Sequence, residues 1–96
     1  MLFAALIDYT SDSSKIAAAR PVHREYLKGL LDTGRLAVSG PFADDKGGLL
    51  VYAAPTVEEA EELLRADPFT KAGVFVSWTI RPWKVIMANP KLLPAG

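Results

Sequence analysis

No cysteine occurs in this chain of 96 residues, which excludes disulfides, thiolate catalysis and cysteine-built zinc or iron–sulfur centres. A single histidine argues against a metal site assembled from protein ligands. An excess of charge of either sign is also missing. Eleven basic and eleven acidic residues cancel, and no basic run exists to hold a nucleic acid or an anionic membrane. The longest purely apolar run, Met1 to Ile7, lacks a basic leader and a cleavage site and is far shorter than the roughly 20 residues of a bilayer-spanning helix. Together these absences predict a soluble, cytoplasmic protein without a metal site built from its own side chains, and with neither nucleic acid nor membrane as its main partner.

What the chain does have is apolar bulk. Half of its residues are hydrophobic, high for a lone small domain, so part of that surface is expected to be covered by a second copy. Residues 2–9 are apolar on both alternating sets, as in a strand covered on both faces. Residues 14–32 carry helical periodicity around Pro21, which stands either in the first turn of the main helix or at a kink, and Gly34 supplies the stop. Leu36, Val38, Gly40 and Phe42 alternate with smaller residues as a second strand. The Asp44-Asp45-Lys46-Gly47-Gly48 cluster turns it into a third at residues 49–53. Thr56-Val57-Glu58-Glu59 is a capping box that starts a second helix, which must stop before Pro68, with residues 69–73 as a connector. Its four glutamates, Glu58, Glu59, Glu61 and Glu62, read as a solvated face near the favourable end of the helix dipole. Alternation from Val74 to about Val85 gives a last strand, and residues 88–96 read as a tail.

The order β-α-β-β-α-β predicts an α+β, ferredoxin-like sandwich: a four-stranded antiparallel sheet with two helices on one face, in a single domain spanning residues 1–87. The other sheet face, also bulky and apolar, suits a two-fold homodimer.

Two ionisable side chains stand out against this apolar pattern. At 100° per residue, Ile16, Ala19, Leu27 and Leu30 fall within about 40° of His23, so the ring is directed inward. Asp67, if the second helix persists to its end, lines up with Ala60, Leu63 and Leu64 and is directed inward as well. Buried ionisable groups are costly unless paired, and an imidazole beside a carboxylate is an arrangement for moving protons. The plainer alternatives are a satisfied core histidine and an aspartate that organises the turn before Pro68. Arg20, one turn before His23, suits a clamp on a substrate carboxylate or a salt bridge to a neighbouring acid. Ser39 and Gly40 at a strand end suit substrate contact or a bulge. Phe69 is the best candidate among the aromatics for a pocket wall, and Ser39 lacks the elbow motif of a serine nucleophile.

Arg20-Pro21-x-His23-x-x-Tyr26-Leu27, Gly34 with Leu36, Ser39-Gly40-Pro41, Asp67-Pro68-Phe69 with Gly73, and Ile80-Arg81-Pro82-Trp83 together resemble the YciI-like family over roughly residues 1–86. The resemblance implies a dimeric α+β barrel, the superfamily that also holds muconolactone isomerase and cofactor-independent monooxygenases. It further implies a pocket whose active pair matches His23 and Asp67. The loop after Ser39-Gly40-Pro41 is shorter here than in many related chains. The expected activity is cofactor-free proton transfer, as isomerase or lyase, on a small oxygen-rich or aromatic metabolite. The alternatives are a module that binds such a ligand without turning it over and a purely structural dimer.

Overall fold

The computed structural model describes residues 1–94. Strand β1 (Leu2–Tyr9) leads to helix α1 (Ser13–Asp32), strands β2 (Leu36–Pro41) and β3 (Gly47–Ala53), helix α2 (Val57–Arg65), a short helix α3 (Pro68–Lys71) and strand β4 (Phe75–Trp83). A 3-10 turn at Pro90–Leu92 follows in the tail. The strands form one sheet in the order β2-β3-β1-β4, and every neighbouring pair is antiparallel. This is the ferredoxin-like arrangement that the residue pattern predicts, with α3 as an addition.

Register explains which face becomes core. Phe3 lies opposite Tyr52 and Ala5 opposite Leu50, and these four join Ile7, Phe75 and the apolar residues of the helices in one buried cluster. Period 2 then sends Ala4, Leu6 and Leu49 to the opposite face, where Leu6 stays half exposed.

Each helix is delimited by identifiable groups. Asp12 caps α1 by accepting from the Ser14 and Lys15 amides, and Thr56 caps α2 by accepting from the Glu59 amide at 3.2 Å. Pro21 is accommodated inside a continuous α1. Gly34 and Gly73 both sit in the left-handed region, φ 74° and 76°, and each closes its helix with the paired bonds of a Schellman motif. After α1 the Arg35 amide donates to the Leu30 carbonyl at 2.8 Å and Gly34 to Leu31 at 3.2 Å; after α3, Val74 donates to Phe69 at 2.9 Å and Gly73 to Thr70 at 3.1 Å.

Three boundaries depart from the sequence expectation. Helix α2 ends at Arg65, and Asp67 stands outside it with extended backbone, φ −62° and ψ 132°, as the N-cap of α3. Pro68 enforces this, because the residue before a proline is pushed out of the helical region, and Pro at the first helical position then favours a fresh turn. Residues 69–73 are therefore largely helical where a connector was expected. Gly47 and Gly48 belong to β3 and leave the turn to residues 42–46. A side-chain carbon on Gly47 would collide with the Ile7 carbonyl oxygen of β1, so close strand approach selects glycine there.

Candidate active site

His23 and Asp67 meet. One ring nitrogen, Nδ1 of His23, lies 2.6 Å from Oδ1 of Asp67, with the histidine 6% exposed and the aspartate 0%. The two are 44 positions apart in sequence and are delivered by different devices. His23 projects from the buried stripe of α1 formed by Ile16, Ala19, Leu27 and Leu30. Asp67 is held by its capping function: Oδ1 also accepts from the Phe69 amide at 2.8 Å. The turn-organising role and the partnership with histidine therefore coexist on one oxygen.

A carboxylate only accepts hydrogen bonds, so Nδ1 is the protonated nitrogen in the neutral ring. Nε2 then carries the lone pair. His23 lines a cleft of about 270 Å³, and Nε2 is the ring nitrogen left for whatever occupies it. The ring is further fixed by Phe69, which stacks flat against it with centroids 3.7 Å apart and planes 7° from parallel. Phe75 closes a second side edge-on at 5.9 Å. The result is an imidazole with one nitrogen committed, one face covered and little freedom to turn.

Tyr9, at the end of β1, stands beside His23 in the cleft wall with Arg24 and Leu27 of α1, Ser39, Gly40 and Pro41 of β2, and Leu50 of β3. Tyr9 packs on Phe69 and Phe75. Burial pushes its phenol above the ordinary tyrosine range, with Arg20 and Arg24 pulling the other way. Its hydroxyl fits because residue 48 is glycine: a side-chain carbon there would stand 2.7 Å from Oη of Tyr9 and 2.9 Å from the Gly40 carbonyl oxygen.

Of the residues singled out from the sequence, Ser39 and Gly40 reach the cleft. Phe69, 1% exposed, backs the histidine and forms no part of the cleft wall. Arg20 is engaged elsewhere: its guanidinium lies 2.6 Å from Asp45 in the β2–β3 loop, which realises the salt-bridge alternative. Tyr9 and Arg24 were missed. The available signal for Tyr9 was its place at the polar end of a two-sided apolar strand; for Arg24, its adjacency to His23 at the edge of the buried stripe. Among the described residues, no cluster of three or more His, Cys, Asp or Glu could hold a metal ion, and no helix is long and apolar enough to cross a membrane.

The arrangement can bind a small planar ligand beside Nε2, take a proton from it and keep the resulting imidazolium close to a carboxylate. A space of this size suits a single ring, since a cavity of about 150 Å³ already accepts benzene.

Comparison with known proteins gives this geometry a context. The chain is 41% identical over 63 residues, 66% of its length and 73% of the relative's, to the uncharacterized protein YjpA of Bacillus subtilis. It is 29% identical to protein YciI of Escherichia coli and of Shigella flexneri, over 90% of this chain and 99% of theirs. Among solved structures it superposes on 5-chloro-2-hydroxyhydroquinone dehydrochlorinase (TftG) of Burkholderia phenoliruptrix in complex with 2,5-dihydroxybenzoquinone. That match has a TM-score of 0.77 at 29% identity and covers 88% of this chain and 94% of the dehydrochlorinase. Residues 1–84 match the YCII-related domain, and the chain belongs to that family.

Proposed function

We propose that this protein is a cofactor-independent lyase or isomerase acting on a small hydroxylated, quinone-forming ring, with His23 as the proton-transfer group and Asp67 as its orienting partner. The observation that carries the reading is the 2.6 Å contact between Nδ1 and the buried carboxylate, at a cleft that leaves Nε2 to the ligand. The structural likeness to a dehydrochlorinase with a dihydroxybenzoquinone bound supports the substrate class and the elimination.

In that reaction Nε2 of His23 removes a hydroxyl proton from the ring, and the O–H electrons form a carbonyl. The displaced ring electrons take up that proton, returned by the imidazolium, at the chlorine-bearing carbon, and removal of a second hydroxyl proton by the regenerated base then forms the second carbonyl of the quinone and expels chloride. The base ends as imidazolium and passes its proton to solvent, so the net loss is one HCl per turnover. Asp67 keeps the proton on Nδ1 and stabilises the charged ring. Ser39 and the backbone around Gly40 line the same cleft and are placed to contact the ring's oxygens. Arg20 serves indirectly, by holding the β2–β3 loop against α1 through Asp45.

The working unit in this reading is a homodimer. Its contact surface is the outer sheet face, where Leu6 and Trp83 are half exposed around a shallow groove of about 360 Å³. Burial of about 800 Å² per subunit is the usual scale for such an interface, and sedimentation at micromolar concentration tests it, a monomer mass contradicting it.

The test of function is release of chloride from chlorinated hydroxyhydroquinones, followed with the appearance of quinone absorbance. His23→Gln is expected to lower turnover about 10²-fold or more with little change in ligand affinity. If the wild type binds such rings and forms no product, the protein is a ligand-binding module and the catalytic assignment is wrong.

A further inference from the structure

The His23 cleft shares part of its wall with a second space. Arg24, Leu27 and Ser39 line both that cleft and a second groove of about 480 Å³ between α1 and β2, whose far side is formed by the chain's own tail at Leu93 and Pro94. The cleft alone is smaller than the roughly 300–1,000 Å³ of ordinary ligand sites, and with the groove it falls inside that range. The lining of the groove is largely aliphatic, with Leu31, Leu36 and Val38 added to Leu27 and Leu93.

Charge in the combined space is one-sided. Among the described residues, no acidic side chain lines either part. Two Lys or Arg side chains line it, and one of them, Lys28, is neutralised by Asp32 at 2.7 Å; Arg20, paired with Asp45 at 2.6 Å, lines neither part. Arg24, on the boundary between cleft and groove, makes no ion pair among the described residues. An unpaired guanidinium between a polar cleft and an aliphatic groove is complementary to a molecule with an anionic group between a ring and an apolar substituent.

We infer that the groove is an annex of the active site, that Arg24 binds an anionic group of the substrate there, and that the annex walled by Leu93 takes an alkyl or similar apolar substituent. The ligand class is thus narrowed to a hydroxylated ring that also carries an anionic group and an apolar substituent, while an unsubstituted hydroxyhydroquinone still fits the cleft alone. This deepens the proposed function and rests on the ligand's ring lying in the His23 cleft.

Binding can be read without turnover, by calorimetry on the full chain with four probes: a hydroxybenzoic acid, the same acid with a butyl chain, and the neutral amide of each. A buried methylene multiplies affinity about three- to fourfold, so a partly buried butyl chain is expected to tighten binding by the wild type about tenfold or more. Leu93→Asp is expected to erase most of that gain for the butyl amide, which carries no charge to be repelled. Arg24→Gln is expected to weaken both acids about tenfold, the low end for a charge-assisted bond at an exposed site, and to leave both amides unchanged. Arg65→Gln, on α2 and paired with Glu61 away from both spaces, is expected to do neither. The inference is overturned if the butyl chain adds nothing, if Arg24→Gln binds the acids as the wild type does, or if none of the four probes binds. His23→Gln separates the two levels of argument: retained affinity for the butyl acid with lost chloride release supports both. Loss of the annex effects with chloride release intact removes only the annex.

Discussion

Truncating Asp67 tests the site and the fold in one experiment. Its Oδ1 serves two buried donors, Nδ1 of His23 at 2.6 Å and the Phe69 amide at 2.8 Å. Asp67→Ala strands both, and a hydrogen bond to a charged group contributes about 1.5–3 kcal/mol. With some relaxation and entry of water, a net loss of about 3 kcal/mol is expected. That is a large share of the roughly 5–15 kcal/mol by which a domain this size is stable. At about 4–8 °C per kcal/mol for 60–100 residues, melting should fall by about 12 °C or more. Asp67→Asn is the informative companion. Its amide oxygen can still accept from both donors, so stability should drop by no more than about 1 kcal/mol, while turnover falls because the orienting charge is gone. Urea titrations of both variants, analysed for midpoint and slope, give the comparison. If Asp67→Ala stays within about 0.5 kcal/mol of the wild type, its carboxylate does not hold the α2–α3 junction and the geometric account of the site fails.

Phe69→Ala removes the ring that stacks on His23 and should cost about 3–5 kcal/mol in urea unfolding; a value under about 1 kcal/mol would mean that the stack contributes nothing to the core. Gly48→Ala, by crowding the Tyr9 hydroxyl and the Gly40 carbonyl, should cost about 1–3 kcal/mol and weaken ligand binding in the cleft, and wild-type values for both would show that the space is not constrained. Tyr52 carries a fully buried hydroxyl with no hydrogen-bond partner among the described residues, and burial pushes its phenol far above the ordinary tyrosine range. Because the folded state holds that proton more tightly than the unfolded chain, stability should be constant below about pH 10 and fall above it, by up to about 1.4 kcal/mol per pH unit for this group. Tyr52→Phe should flatten that alkaline decline and leave neutral-pH stability unchanged or higher; an equally steep decline in the variant would assign it to other groups.

Much of this architecture is legible in the residue order because its signals are local. The Thr56 capping box, the stop at Gly34 and the alternation of β1 and β4 each act within a few residues. His23 is legible for the same reason: its phase within α1 depends on one helix only. Asp67 is different. Its inward placement follows from backbone geometry imposed by Pro68 and from the short helix it caps, whereas extension of α2 to residue 67 would deliver it by helical phase. Both routes reach a buried carboxylate, which is why the pairing is legible although the device is not. Tyr9, Arg24 and the Arg20–Asp45 pair could not be read in this way. Each depends on which strand ends and loops the sheet order β2-β3-β1-β4 brings against α1, a tertiary fact that no periodicity carries.

The dual use of Asp67 has a consequence for how the site holds its geometry. A catalytic carboxylate on a free rotamer must be ordered at the moment of reaction, at an entropic cost that raises the barrier. Here the ordering is done by folding: the same oxygen that orients the imidazole terminates the chain's descent from α2 and starts α3, and the Schellman bonds at Gly73 then fix the Phe69 carbonyl at the entry to β4. The ring of Phe69, two residues beyond Asp67, is carried by that short helix onto the face of His23. One turn of helix thus sets the tautomer, the tilt and the backing of the imidazole together. Substitutions that loosen α3 without touching His23 should therefore act on turnover as well as on stability, and Gly73→Ala, which strains a left-handed residue outside the cleft, is the variant in which that coupling is expected to appear.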